Sequence, residues 1–168
     1  MADRETVFTI EATPVTFGPR AVEDVGWEVR RRGLERVLLV ADPVLAETGT
    51  TDRVLGLLAD AGVETVVYDA IHIEPTIDSM AEAARFAARQ TIDGIVALGG
   101  GSTIDHAKVA NLIATHGGEI IDYVNPPIGE GRKPAGPLMP LVAITTTAGS
   151  GSEATTVAVL DIPDRKVK

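Results

Sequence analysis

The sequence predicts an α/β protein in which helices cover both faces of a parallel sheet. Short runs of apolar and often β-branched residues alternate with longer segments whose apolar residues recur at helical spacing. Strand–helix alternation of this kind produces parallel strands joined by right-handed crossovers. The chain is 45% hydrophobic but only 4% aromatic, so its core is built from Val, Leu, Ile and Ala, which suits parallel strands buried on both faces.

The individual elements follow from the same patterns. Strands are predicted at 6–10, 36–40, 63–68, 94–98, 141–145 and 155–161, and helices at 19–32, 51–61, 77–90 and 102–115. Residues 13–18 form either a neighbouring strand or a loop. Proline and glycine are too frequent in residues 125–140 for a helix or a central strand, so an irregular excursion is expected there.

Length, charge and composition limit the function classes. At 168 residues we expect one domain, residues 1–168. The net charge of −9 argues against nucleic acid and anionic membranes as partners. The chain has no cysteine for a disulfide framework, its N-terminus has no apolar signal core, and its apolar runs are too short to span a bilayer. A cytoplasmic protein with a small-molecule substrate is therefore predicted.

The stretch 93–111 carries the strongest functional signal. Three glycines, Gly99 to Gly101, separate a predicted buried strand from a helix, with Ser102 as the expected N-cap and Asp105 in the first turn. Glycines leave no side chain between backbone and ligand, while a helix start offers unpaired N–H groups and a positive dipole end. A phosphate seat is predicted. The alternative, a tight turn, would need only one glycine.

Two further strand ends carry polar residues. Asp42 follows one of them, where a carboxylate can bind the hydroxyls of an adenine ribose and repel a 2′-phosphate, favouring NAD over NADP. An Asp-Pro turn explains Asp42 equally well. After the strand at 141–145 comes a hydroxyl-rich turn, which suits phosphate and ribose oxygens. Because ligands of parallel sheets sit at the carboxyl ends of strands, we expect these positions to converge.

The remaining residues and motifs give an ambiguous functional signal or none. Lys108 could reach a phosphate or pair with Asp105. The histidines lack the spacing of metal ligands, so no metal site is predicted in this chain. The usual dinucleotide fingerprint is not met either, because the acidic residue precedes the glycines and Ile104 stands where the third spaced glycine belongs.

Two motifs carry a family resemblance. Residues 99–108, GGGSTIDHAK, resemble the GGGSxxDxAK signature of the iron-containing (group III) alcohol dehydrogenases. Residues 146–153, TTAGSGSE, resemble the family's TTxGTGSE, with Ser150 in place of the usual Thr. Asp42 matches the family's Asp after its second strand. The stretches most similar to the hydroxyacid–oxoacid transhydrogenase branch are 72–76, 122–124 with 127–129, and 167–168.

The resemblance implies a Rossmann-like nucleotide-binding domain with the dehydroquinate-synthase-like fold and NAD as cofactor. It implies that Asp42 binds the adenosine ribose and that Gly100, Gly101 and Ser102 bind the pyrophosphate. Asp105 would face the inner cleft. The other implied nucleotide contacts are Thr146, Thr147, Gly149, Ser150 and Lys168.

The resemblance also implies a second, all-helical domain that holds divalent iron or zinc through an Asp and three His. Nothing in this chain matches those ligands, so we expect the cofactor-binding half of an NAD- and metal-dependent alcohol or hydroxyacid dehydrogenase, without catalytic residues and inactive alone. The alternatives are a hydroxyacid–oxoacid transhydrogenase, a dehydroquinate-synthase-like lyase and a non-catalytic nucleotide-binding module. An apolar cleft wall, and with it association into a homo-oligomer, is also expected.

Overall fold

The computed structural model describes residues 13–163, and a parallel sheet forms the centre of this part of the chain. Its strands are β1 (Arg36–Ala41), β2 (Glu64–Tyr68), β3 (Gly94–Gly99) and β4 (Leu141–Thr145). They lie in the order β2-β1-β3-β4, and every described pair is parallel. The predicted strand at 6–10 lies outside the described residues.

Helices cover both faces of this sheet. They are α1 (Val25–Arg30), α2 (Val44–Glu47), α3 (Thr50–Asp60), α4 (Ile77–Ala88), α5 (Gly101–His116) and α6 (Ile120–Tyr123). Val37 and Leu39 of β1 pack with α1 and α3, whereas Leu38 and Val40 pack with α4 and α5. Alternate residues of one strand therefore enter two separate cores, which confirms the predicted α/β class.

The N-terminal helix begins later than the prediction of 19–32. Arg20 has a φ of 65°, in the left-handed region, so the chain turns there instead of starting a helix. A short 3-10 segment, Ala21–Asp24, precedes α1. Residues 13–18 form a loop, one of the two predicted alternatives.

The segment 155–161, predicted as a strand, does not join the sheet. It runs beside α5 without regular helix or strand structure, and its described strand-like pairing is a single bridge between Asp161 and Thr76. The Val159 amide donates to the Asp105 carboxylate at 3.0 Å, and the Val157 carbonyl accepts from Lys108 Nζ at 2.7 Å. The strand prediction was wrong because the backbone at 157 and 159 bonds to side chains of α5, and Asp161 pairs with the end of the loop before α4 instead of with a strand of the sheet.

Candidate functional site

The carboxyl ends of β1, β3 and β4 lie side by side at one edge of the sheet. The Asp42 amide donates to the Leu98 carbonyl at 2.9 Å, and the Thr146 amide donates to the Gly99 carbonyl at 3.0 Å. These bonds link the residue after β1 to β3, and the residue after β4 to β3. The predicted convergence of Asp42, the glycines and the hydroxyl-rich turn is therefore confirmed.

The first turn of α5 has no side-chain cap. Gly100 is its N-cap in an extended conformation, with φ −84° and ψ −170°, and the helix begins at Gly101. The prediction that Ser102 caps this helix was wrong. A glycine at the start lets the backbone enter the helix earlier, so Ser102 lies inside the first turn, and its hydroxyl donates to the Ile73 carbonyl at 2.5 Å. The leading N–H groups of α5 remain available to an anion.

The glycine loop and the hydroxyl-rich turn touch each other. A Cβ placed on Gly100 would lie 3.0 Å from Thr147 Oγ1, and one on Gly101 would lie 3.0 Å from the Ser150 Cβ. Neither glycine has a positive φ, so each is needed for the space it leaves and not for an unusual backbone. The two motifs are thus packed against each other at this edge of the sheet.

The Asp42 carboxylate accepts a hydrogen bond within the turn and has further acceptor positions for a ligand. Its Oδ1 accepts from the Val44 amide at 3.1 Å, which is the Asp-Pro turn expected as one alternative. An ionised carboxylate offers about four acceptor positions, so this bond leaves room for ribose hydroxyls. The two interpretations of Asp42 are compatible.

Asp105 and Lys108 both bind the segment at 155–159. Asp105 is only 5% exposed and accepts from both the Val159 amide and, at 3.4 Å, Lys108 Nζ. Lys108 also lies 3.3 Å from Thr155 Oγ1. Of the two roles predicted for Lys108, the structure shows the pairing with Asp105. A contact between Asp105 and a nucleotide stays a prediction.

The hydroxyl-rich turn is exposed to solvent and is stabilised by hydrogen bonds between its own residues. Thr145 Oγ1 donates to the Thr147 carbonyl at 2.9 Å, and the Ser152 amide donates to Ser150 Oγ at 3.3 Å. Gly149 has a φ of 94°, which a residue with a side chain rarely adopts. The predicted site residues that this turn contributes, all solvent-exposed, are Thr146, Thr147, Gly149 and Ser150. Lys168 lies outside the described residues, and its place in the site stays a prediction.

The histidines do not form a metal centre. His106 is fully buried and lies between the Ser102 carbonyl and the Ser79 hydroxyl, while His116 contacts the Gly136 carbonyl. Within residues 13–163, no three His, Cys, Asp or Glu side chains come together as ligands. The described residues therefore do not fit iron or zinc. The partners of His106 were not visible in the sequence, because Ser79 is 27 residues away.

An apolar cleft of about 750 Å³ lies beside α5 and α6, and its lining includes Leu112, Val124, Leu138 and Leu160. An apolar cleft wall was predicted, but association into a homo-oligomer stays a prediction. None of the helices within residues 13–163 is long and apolar enough to cross a membrane.

Known proteins resemble this chain in both sequence and structure. The relatives include hydroxyacid–oxoacid transhydrogenase, mitochondrial, from Xenopus laevis, which is 36% identical over 162 residues, and from Mus musculus, which is 39% identical over the same length. In both cases the match covers 96% of this chain but 35% of the relative, so the chain spans about a third of these relatives' length. The mitochondrial location is that of the relatives, and the cytoplasmic location predicted for this chain stays a prediction.

Solved structures give the same family. A 1,3-propanediol oxidoreductase is 33% identical with a TM-score of 0.83, covering 96% of this chain and 41% of its own. A sulfoacetaldehyde reductase from Bifidobacterium kashiwanohense, solved in complex with NAD+, is 27% identical with a TM-score of 0.81, covering 96% and 42%. The family model described as iron-containing alcohol dehydrogenase matches residues 12–168. The chain therefore belongs to the iron-containing alcohol dehydrogenase family.

Proposed function

We propose that this chain is the nucleotide-binding part of an NAD-dependent dehydrogenase, with its cofactor at the carboxyl edge of β1, β3 and β4. The observation that carries the proposal is the uncapped start of α5, which faces the hydroxyl-rich turn across Gly100 and Gly101. Unpaired N–H groups at the positive end of a 16-residue helix favour a phosphate group. A structural relative solved with NAD+ supports the same cofactor.

Each part of this edge would bind a different part of the dinucleotide. The backbone N–H groups of Gly101 and Ser102 would donate to the pyrophosphate, because no side chain competes for them. The exposed hydroxyls of Thr146 and Thr147 would bind phosphate or ribose oxygens. Asp42 would accept from the ribose hydroxyls with the carboxylate capacity that the turn leaves free. Bound NAD supplies the hydride acceptor, and NADH the donor.

The reaction of the whole protein is a finer proposal. Relatives 36–39% identical are named hydroxyacid–oxoacid transhydrogenases, so we infer a hydroxyacid and an oxoacid as the substrate class. A small alcohol or aldehyde is the second candidate, because a 1,3-propanediol oxidoreductase shares the fold at 33% identity. The described residues present no ligand set for the family's metal, so their contribution is to bind and orient the cofactor.

Titration calorimetry of the 168-residue chain with NADH and NADPH tests this proposal. We expect NADH to bind, and NADPH to bind about tenfold more weakly, a difference of about 1.4 kcal/mol. A folded chain that binds neither nucleotide would contradict the assignment of this edge as a cofactor site. Equal affinity for both would contradict only the role of Asp42.

A second measurement separates cofactor binding from catalysis. We expect the chain to bind no iron or zinc stoichiometrically and to oxidise no alcohol or hydroxyacid with NAD, because the described side chains offer no cluster of ligands. Metal analysis of protein purified without chelator, together with a dehydrogenase assay, checks this. One tightly held metal ion per chain, or turnover above background, would show that an active site has been missed.

A further inference from the structure

A buried histidine connects the first turns of two neighbouring helices behind the candidate site. His106 Nδ1 lies 2.8 Å from the Ser102 carbonyl in the first turn of α5, and its Nε2 lies 3.1 Å from Ser79 Oγ in the first turn of α4. Ser79 and Thr76 form the capping box of α4. The imidazole therefore links the uncapped helix start to the capped one.

The loop at 69–76 is attached to the same network at two points. The Ser102 hydroxyl donates to the Ile73 carbonyl at 2.5 Å, and Thr76, at the end of the loop, belongs to the capping box. Ile73 itself is 82% exposed, so packing does not hold this part of the loop in place. Ser102 is thus bound on two sides, since its hydroxyl contacts the loop and its carbonyl contacts His106.

The protons of this network can be assigned from its chemistry. A carbonyl oxygen only accepts, so His106 Nδ1 carries the proton that reaches Ser102. Burial, the largest effect, lowers the pKa of His106, although its bond to the Ser102 carbonyl opposes this shift. The neutral ring then offers Nε2 as an acceptor, and the one proton of the Ser79 hydroxyl lies between Nε2 at 3.1 Å and the Thr76 carbonyl at 3.0 Å, while the hydroxyl accepts from the Thr76 amide at 3.0 Å. Each polar atom of the imidazole has a partner.

We propose that His106 is a positioning residue of the nucleotide site, which fixes the loop at 69–76 and the first turn of α5 as one unit. His106 touches no ligand in this arrangement. By holding the Ser102 carbonyl it sets the direction of the Thr103 N–H group, which shares that peptide plane and is one of the unpaired donors of the first turn, and through Ser79 it ties that turn to the end of the loop. The part that concerns nucleotide binding rests on the proposed function, whereas the positioning of the loop does not.

Three substitutions separate the two bonds of the imidazole. His106→Asn keeps a donor near the position of Nδ1, His106→Gln keeps a polar atom near that of Nε2, and His106→Leu removes both. The matched control is His116→Leu in the last turn of the same helix, where the ring contacts the Gly136 carbonyl. Loop exchange is measured as hydrogen exchange at the Ser79 amide, which donates to Thr76 Oγ1 at the end of the loop, and NADH affinity is measured for each folded variant.

We expect His106→Leu to accelerate exchange in the loop about tenfold and to weaken NADH binding by a similar factor, while His116→Leu changes neither. His106→Asn should recover most of the NADH affinity, because it keeps the bond to Ser102, and His106→Gln should not. A purely structural role for His106 would lower stability in all variants without changing loop exchange or affinity in the folded protein.

Loop exchange in His106→Leu equal to that of the unmodified chain would overturn the inference. If the unmodified chain fails to bind NADH, the proposed function fails, and loop exchange alone decides the role of His106. If no His106 variant folds, Ser79→Ala is compared with Thr76→Ala, because each removes one side chain of the capping box but only the first removes the hydroxyl that contacts Nε2. Equal NADH affinity in these two variants would then overturn the inference.

Discussion

Helices α4 and α5 lie side by side on one face of the sheet, yet their first turns are built in opposite ways. In α4 the Thr76 side chain accepts from the Ser79 amide at 3.2 Å, and the Ser79 side chain accepts from the Thr76 amide at 3.0 Å. In α5 the N-cap is Gly100, and no side chain accepts from the first turn. Both helices follow a strand, so this difference lies in their N-terminal residues and not in the topology.

The comparison shows how one fold can produce either a closed helix start or an open one. A capping box satisfies backbone donors from within the chain, which stabilises the helix and leaves little for a ligand. A glycine N-cap forgoes that stabilisation and keeps the donors free in a site lined by hydroxyls. The predictions below alter one helix start or the surroundings of the site, beginning with the largest expected effect.

Gly101→Val should abolish NADH binding. Its Cβ would lie 3.0 Å from the Ser150 Cβ, and the branched side chain would fill the space between the two motifs. We expect a loss of at least about 100-fold in affinity, or about 2.7 kcal/mol, measured by calorimetry on protein shown to be folded by circular dichroism.

The matched control for this prediction is Gly56→Val in α3, where a Cβ would meet nothing within 4 Å. This variant should bind NADH as the unmodified chain does. If Gly101→Val folds and still binds NADH, the glycine loop is only a turn between a strand and a helix.

Substitutions of Asp42 test whether the carboxyl edge of the sheet discriminates between NADH and NADPH. Asp42→Asn keeps an oxygen that can accept from the Val44 amide but removes the charge, so the turn should survive while the preference for NADH over NADPH falls about tenfold. Asp42→Gly should lose the preference and also the turn. Calorimetric titrations with both nucleotides measure the change, and an unaltered preference in both variants would assign Asp42 to the turn alone.

Thr76→Ala should destabilise the protein by about 1 kcal/mol, because it removes the side-chain half of the α4 cap. Thr50→Ala, at the first residue of α3, is the control, since the start of that helix has no side-chain cap to lose. Urea unfolding measures both free energies. Equal losses in the two variants would mean that the capping box of α4 contributes no special stability.

Most of the sheet could be predicted from sequence because each buried strand is marked by a short run of neighbouring apolar residues. β4 was placed at 141–145, as observed, and β1 and β3 were each one residue short, since buried β-branched runs identify such strands. The Ser102 cap was wrong because Gly100 and Ser102 are both acceptable N-caps, and the sequence does not say where the helix begins.

Long-range contacts set the limit of sequence analysis for this chain. The β-branched pattern of 155–161 indicates an extended backbone but not its partner, which is the side chain of Asp105 and not a strand. His106 showed no useful spacing, because its two partners come from two different helices. The positions that converge at the sheet edge were predictable, since the topology of parallel strands brings their carboxyl ends together.

The smallest expected effect is a dependence of stability on pH that comes from His106. Burial lowers its pKa in the folded protein below the usual 6.5, even though Asp105 opposes this shift and His72 adds to it. The unfolded chain therefore binds a proton first as the pH falls, so stability is fully present above about 6.5 and decreases below it until the folded pKa is reached. Glu28, whose pKa is lowered to about 2 through its bonds to Arg31 and Arg32, affects stability only below its usual pKa of 4.5, outside this pH range.

Urea unfolding at about pH 8 and about pH 5.5 should show a loss of unfolding free energy in the unmodified chain. This loss should be smaller in His106→Gln, which has no titrating ring at this position. An identical loss of stability in both proteins would show that a group other than His106 causes the pH dependence.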